Sequence, residues 1–141
     1  PTLAPKKQEM LNPLTMNKNC YCGSGKNYED CCEKVHHDLK AAGSAEQLMR
    51  ARYTAFCLSL VDFLYHSFHP NSRRFQKKTE IEQWSKENKW EGLEIIKATE
   101  NTVEFKAFFT DPFAEKQVHH EKSRFQKLQG TWYYLDGKII A

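Results

Sequence analysis

Four cysteines crowd into thirteen residues, Cys20, Cys22, Cys31 and Cys32, in the spacing Cys-x-Cys-x8-Cys-Cys. That set suffices for one closed tetrahedral metal site with no open position. The loop between the cysteines has few apolar side chains, so a bound ion must supply its folding energy. Soft thiolates select zinc among the common structural metals, and one structural zinc ion is expected. A disulfide framework fits less well. Adjacent cysteines such as Cys31 and Cys32 bridge only with strained geometry. Cys57 makes the count odd, and the first fifteen residues lack a continuous apolar stretch. A reducing, cytoplasmic location is therefore expected.

The residues between the ligands suit a tight loop. Gly23 and Gly25 permit positive φ, and such a turn aims backbone N–H groups at the sulfurs. Four thiolates around one divalent ion leave negative charge, which Lys18, Lys26 and Lys34 can offset or ignore as solvated side chains. Tyr28 is expected to pack against the knuckle. His36 or His37 is an alternative ligand only if a cysteine is displaced.

The run Cys20-Tyr21-Cys22-Gly23-Ser24-Gly25-Lys26-Asn27-Tyr28-Glu29-Asp30-Cys31-Cys32 resembles the SEC-C motif, the zinc knuckle of the SecA export motor. The resemblance implies that Cys20, Cys22, Cys31 and Cys32 are the ligands. Tyr21 stands where the pattern has proline. Glu29 and Asp30 stand where the export motor tends to have basic or polar residues. Leu48 to Phe56, His69-Pro70, Trp90 to Ile95, His120 to Phe125 and Gly130 to Gly137 extend the likeness to the YchJ-like family. That resemblance implies a SEC-C knuckle followed by an NTF2-like domain, a curved sheet wrapped round a long helix to form a cone. It implies a fold rather than a reaction.

Met16 reads as a natural start. Residues 1–15 hold three of the five prolines and are expected to be a disordered extension. The remainder divides into a knuckle over 16–40 and an NTF2-like domain over 41–141; about 125 residues suit one such domain. Net charge is +3. That is too small to argue for direct nucleic-acid binding without a focused patch. Arg73, Arg74, Lys77 and Lys78 form one basic cluster, most simply a solvated face. No apolar run reaches the ~18 residues of a membrane span.

Periodicity places helices first and strands after. Ser44 and Gln47 form a capping box opening a helix through Leu58. Shorter helices are expected over Val61–Phe68 and Thr79–Glu87, the latter with Ile81 and Trp84 on one face. The period then changes to two. Strands are expected over Leu93–Ala98, Val103–Phe109, Lys116–Leu128 and Thr131–Leu135, with turns at Glu100-Asn101 and Gly130. Helices followed by an antiparallel meander make an α+β fold.

The first helix places Arg52 at the centre of its apolar face, with Arg50 and Thr54 opposite. A buried guanidinium needs a partner. Alternation on the long strand puts Glu121, Ser123 and Phe125 on one side, so an Arg52–Glu121 contact is expected, with His69 or Ser123 nearby. Arg52, Tyr53, His69, Glu121, Ser123 and Trp132 are the pocket candidates. Tyr65, Trp84, Trp90 and Tyr134 are further wall candidates, though each taken singly suits a core better. The polar cluster is either a buried network orienting helix on sheet or the floor of a ligand site. His119 and His120 point to opposite faces and cannot chelate one ion together. Cys57 is either an inert thiol or one activated by Arg50.

Two functions follow. In the first, favoured here, the knuckle docks a protein or ribonucleoprotein partner and the body is a scaffold, in which a homodimer is possible. In the second, the cone binds or transforms a small molecule and the knuckle is a clasp. No catalytic residue is assigned.

Overall fold

The computed structural model describes residues 19–141. The expectation for residues 1–15, and Lys18, lie outside the described residues. The knuckle holds a 3-10 turn at Tyr28–Asp30 and α1 (Cys32–His37). A 3-10 turn at Leu39–Ala41 leads to α2 (Ala45–Leu58), followed by α3 (Val61–His66), α4 (Pro70–Arg73) and α5 (Lys78–Glu87). Four strands complete the chain: β1 (Lys89–Ala98), β2 (Thr102–Thr110), β3 (Lys116–Leu128) and β4 (Thr131–Ile139). They form one antiparallel sheet in the order β1-β2-β3-β4. The helices-then-meander pattern is thus an α+β fold.

Local chemistry explains the boundaries. Ser44 Oγ accepts from the Gln47 amide, while Gln47 Oε1 reaches back to the Gly43 amide, one residue beyond the expected box. Ser59, in the left-handed region, ends α2. Gln129 and Gly130 both have positive φ, as a tight two-residue hairpin requires. Strand β1 starts four residues earlier than periodicity predicts and β4 ends four residues later, because bulges break their alternation. Register shifts at Trp90/Gly92 and Ile95/Lys97 in β1, and opposite Arg124/Phe125 in β4, curl the sheet. The second helix stops short of Phe68: Ser67 and His69 instead exchange backbone hydrogen bonds with Tyr134, covering the edge of β4.

Helix α2 runs through the middle. Ala51, Arg52, Tyr53, Thr54 and Ala55 are all buried, five consecutive positions around more than one turn. A helix buried on every side needs two covering layers. The sheet covers one. The knuckle covers the other, so Thr54, on the face that reads as polar, is fully enclosed. One apolar core runs from Cys20, Cys22, Cys32 and Val35 through Leu48 and Tyr53 to Val103, Phe105 and Phe125. A smaller one joins Ala55, Leu64, Phe68 and Ile81. The segment between knuckle and helix is packed down by Val35 and Ala42. No helix among the described residues is long and apolar enough to cross a membrane.

Candidate functional site

Gly23 and Gly25 carry φ of 80° and 85°, which lets the loop double back so that the Cys20 amide donates to the Lys26 carbonyl at 2.8 Å. The turn brings the sulfurs of Cys20, Cys22, Cys31 and Cys32 within 4.8 Å of one another. Cys22 and Cys31 are 3.6 Å apart, Cys31 and Cys32 3.9 Å. Without a cation these thiols cannot all ionise. Hydrogen bonds from Cys20 and Cys32 hold Cys22 far below the ordinary thiol range, while Cys20 and Cys22 push Cys32 far above it. A cation among the sulfurs removes that conflict, so the donor set fits a metal ion.

The cage is anchored from outside. Ser24 Oγ lies 3.2 Å from Cys31 Sγ. Thr54 Oγ1, from α2, donates to Cys32 Sγ at 3.4 Å and sits 3.6 Å from Cys20 Sγ. Arg50 donates to the Cys22 carbonyl at 2.7 Å and pairs with Glu46. His36 is no ligand. Its Nε2 lies 2.8 Å from the Ala51 carbonyl, which can only accept, so that nitrogen carries the proton. Burial holds the ring below its ordinary pKa and therefore neutral, leaving Nδ1 to accept from Tyr28 Oη at 2.8 Å. His37 is exposed beside Glu33. Burial also raises Cys57 to about 11, against activation by Arg50.

On the other side of α2 the cone encloses a cavity of about 390 Å³. Arg52, Tyr53 and Glu121 line it. The expected Arg52–Glu121 contact is not made directly. Arg52 Nη1 donates to the Leu64 carbonyl at 3.3 Å and to Ser67 Oγ. Its guanidinium lies between the rings of Phe68 and Tyr134, 4.5 and 4.2 Å from their centroids. Tyr134 therefore separates the two charges: its ring stacks on Arg52 and its hydroxyl donates to Glu121 at 2.5 Å. Burial lowers Arg52 to about 10, which leaves it charged at neutral pH.

Glu121 also accepts from Ser123 Oγ at 2.6 Å and from His119 Nε2 at 2.7 Å. Burial works to raise its pKa, but these three hydrogen bonds prevail and hold the carboxyl below its usual range. Ser123 thus supports the floor from beneath. His69 and Trp132 do not line the cavity. His69 caps α4, accepting from the Asn71 amide, and Trp132 lies in the core beyond Tyr134. Of the further wall candidates, Trp84, Trp90 and Tyr134 line the cavity and Tyr65 does not. Phe56, Phe68 and His119 also line it. His119 was legible as a neighbour of Glu121, since residues two apart on a strand share a face. His120, on the outer face, pairs with Glu104. Trp90 is fixed by its indole N–H to the Ser85 carbonyl, and Ser85 in turn donates to Phe56.

Family models match both parts: the SEC-C motif over residues 16–34 and the middle NTF2-like domain of YchJ over 44–137. A UPF0225 protein of Geobacter sulfurreducens is 36% identical over 86% of this chain and 80% of its own length. The chain belongs to the UPF0225 family. Another member, from Photorhabdus laumondii, is 39% identical over 86% of this chain and 81% of its own. Solved structures share the architecture. The solution structure of a SEC-C motif protein from Rhodopseudomonas palustris matches with TM-score 0.80 and 35% identity, covering 87% of this chain and 99% of that one. A SEC-C motif protein from Psychrobacter arcticus matches with TM-score 0.69 and 30% identity, covering 89% and 84%. In this chain the SEC-C cage and the NTF2-like cone share one central helix.

Proposed function

We propose that this UPF0225 protein is a cytoplasmic small-molecule binder whose cone is held in shape by a zinc-loaded knuckle. The observation that carries the reading is the cone floor, where a buried carboxylate with three donors and a buried guanidinium converge under aromatic walls. Convergent polar groups in an apolar concavity are the usual signature of a ligand site. Zinc is favoured because sulfur separations of 3.6 and 3.9 Å match the edge of a tetrahedron. That edge is about 3.8 Å for Zn–S bonds of about 2.3 Å. The five free thiols favour a reducing compartment.

Native mass spectrometry of the reduced chain, followed by denaturation of the same sample, tests both claims. One zinc and an organic adduct are expected in the native protein. Ala107→Phe, which puts a ring into the cavity, should keep the zinc and lose the adduct. An adduct unaffected by that substitution would place the ligand elsewhere and defeat the cone reading.

A second reading keeps the knuckle as a docking surface for a protein or ribonucleoprotein. Its support is Tyr21, 59% exposed, beside the exposed end of α2 at Leu58. Cosedimentation with ribosomes that is lost in Tyr21→Ala and retained in Ala107→Phe would favour it over the cone.

A further inference from the structure

The cone floor also specifies a ligand chemistry. Glu121 is held ionised and can only accept, so His119 Nε2 must donate to it. In the neutral ring this leaves Nδ1 as an acceptor. Among the described residues Nδ1 of His119 meets no hydrogen-bond partner. The ring lines the cavity and is 30% exposed, whereas the Glu121 side chain behind it is 10% exposed. The carboxylate thus orients the imidazole, and the imidazole faces the opening.

The surroundings restrict what can meet that nitrogen. The charges lining the cavity balance. Arg52 is offset by Glu121 through Tyr134, and Asp136 is held by Nε and Nη2 of Arg124. The Arg52 guanidinium is covered by two rings, which removes it as an open anion clamp. The walls are aromatic. Trp84 and Trp90 meet edge to face at 5.8 Å, Phe56 tilts against Trp90 at 5.6 Å, and Phe105 tilts against His119 at 6.0 Å. Such walls favour flat rings, which gain from offset or edge-on contact.

We infer that His119 Nδ1 is the hydrogen-bond acceptor of the cone, and that the ligand is an uncharged flat ring system bearing an O–H or N–H donor. This rests on the reading of the cone as a binding site. The donor enters toward His119 while the rings lie among Trp84, Trp90 and Phe105.

The test is an NMR titration of the zinc-loaded chain at about pH 8. Three probes of one shape are compared: 2-naphthol, its methyl ether 2-methoxynaphthalene, and 2-naphthoate. 2-Naphthol should bind about fivefold more tightly than the ether, the worth of one net hydrogen bond. His119→Phe, which keeps a ring in the wall, should abolish that preference. Independently of any variant, the His119 Nδ1 nitrogen resonance in the wild-type chain should move upfield with 2-naphthol and stay with the ether. Equal binding of naphthol and ether, with no movement of that resonance, overturns the acceptor role and leaves the cone as a site. Tighter binding of 2-naphthoate overturns the uncharged class. Failure of all three to shift cavity resonances overturns the cone reading with it.

Discussion

Gly137 faces Glu121 across the β3–β4 ladder, paired with Ser123. A Cβ at Gly137 would overlap the Glu121 carboxylate and crowd the Tyr134 hydroxyl. The glycine is needed for space, not for an unusual φ, since its backbone is ordinary extended strand. Gly137→Ala must push a charged, fully bonded side chain off its donors. Overpacking of this kind costs about 1–3 kcal/mol. The urea midpoint of Gly137→Ala should fall accordingly, with m unchanged; an unchanged midpoint would mean that the floor can shift freely. At the same scale, Arg52 was legible from helical stepping alone, because one charge at the centre of an apolar face must be buried. Its partner was not. Which group meets Arg52 depends on a bulge at Leu135 that swings Tyr134 between the two charges, and bulges leave no period in the sequence.

Helix α2 carries both halves of the molecule. Thr54 faces the cage and donates to Cys32. Thr54→Val keeps the shape and removes the hydroxyl. Loss of such a supporting donor typically costs 10–100-fold in metal affinity. Competition against a chelator should show about a tenfold drop, with the helix intact by circular dichroism. His36 clamps the knuckle to the same helix through Ala51 and to Phe63 of α3. Its folded pKa is depressed, first by burial and further by His37, with Glu33 and the Ala51 hydrogen bond opposing. A depressed base is protonated more readily in the unfolded chain. Its contribution is therefore complete above about pH 6.5 and is lost as pH falls from there toward the folded value. Urea unfolding in saturating zinc should show this acid loss in the wild-type chain and a shallower one in His36→Gln. Parallel slopes would mean that His36 titrates alike in both states.

At the scale of the whole molecule, knuckle and cone share one apolar core, since Cys20, Cys22 and Cys32 pack with Leu48, Tyr53 and Phe105. A tethered knuckle would melt separately. Here, unfolding of the knuckle on metal removal would uncover the outer face of α2, where Thr54 is fully buried. Chelation should lower the Tm of the entire chain by several degrees, because each ~1 kcal/mol is worth a few degrees, roughly 3–5 °C, in a domain of this size. Calorimetry of the zinc-loaded and chelated chain checks it. A cone transition that keeps its Tm after chelation would show that the two parts are energetically independent.

From the sequence alone come the cysteine quartet, the α+β order of elements and the inward side of β3. Each rests on spacing or period along a single segment: thirteen residues hold all four cysteines, and alternation puts Glu121, Ser123 and Phe125 together. It did not determine that the polar face of α2 is covered, since periodicity reports polarity and not what packs on it. Thr54 and Arg50 donate to the cage, and that became visible only with the knuckle seated on the helix. Nor could it place His69 and Trp132 outside the cavity, or set Tyr134 between Arg52 and Glu121. Those outcomes depend on bulges and on the path of residues 67–69 along β4, where distant segments meet and the tertiary structure alone sets the distances.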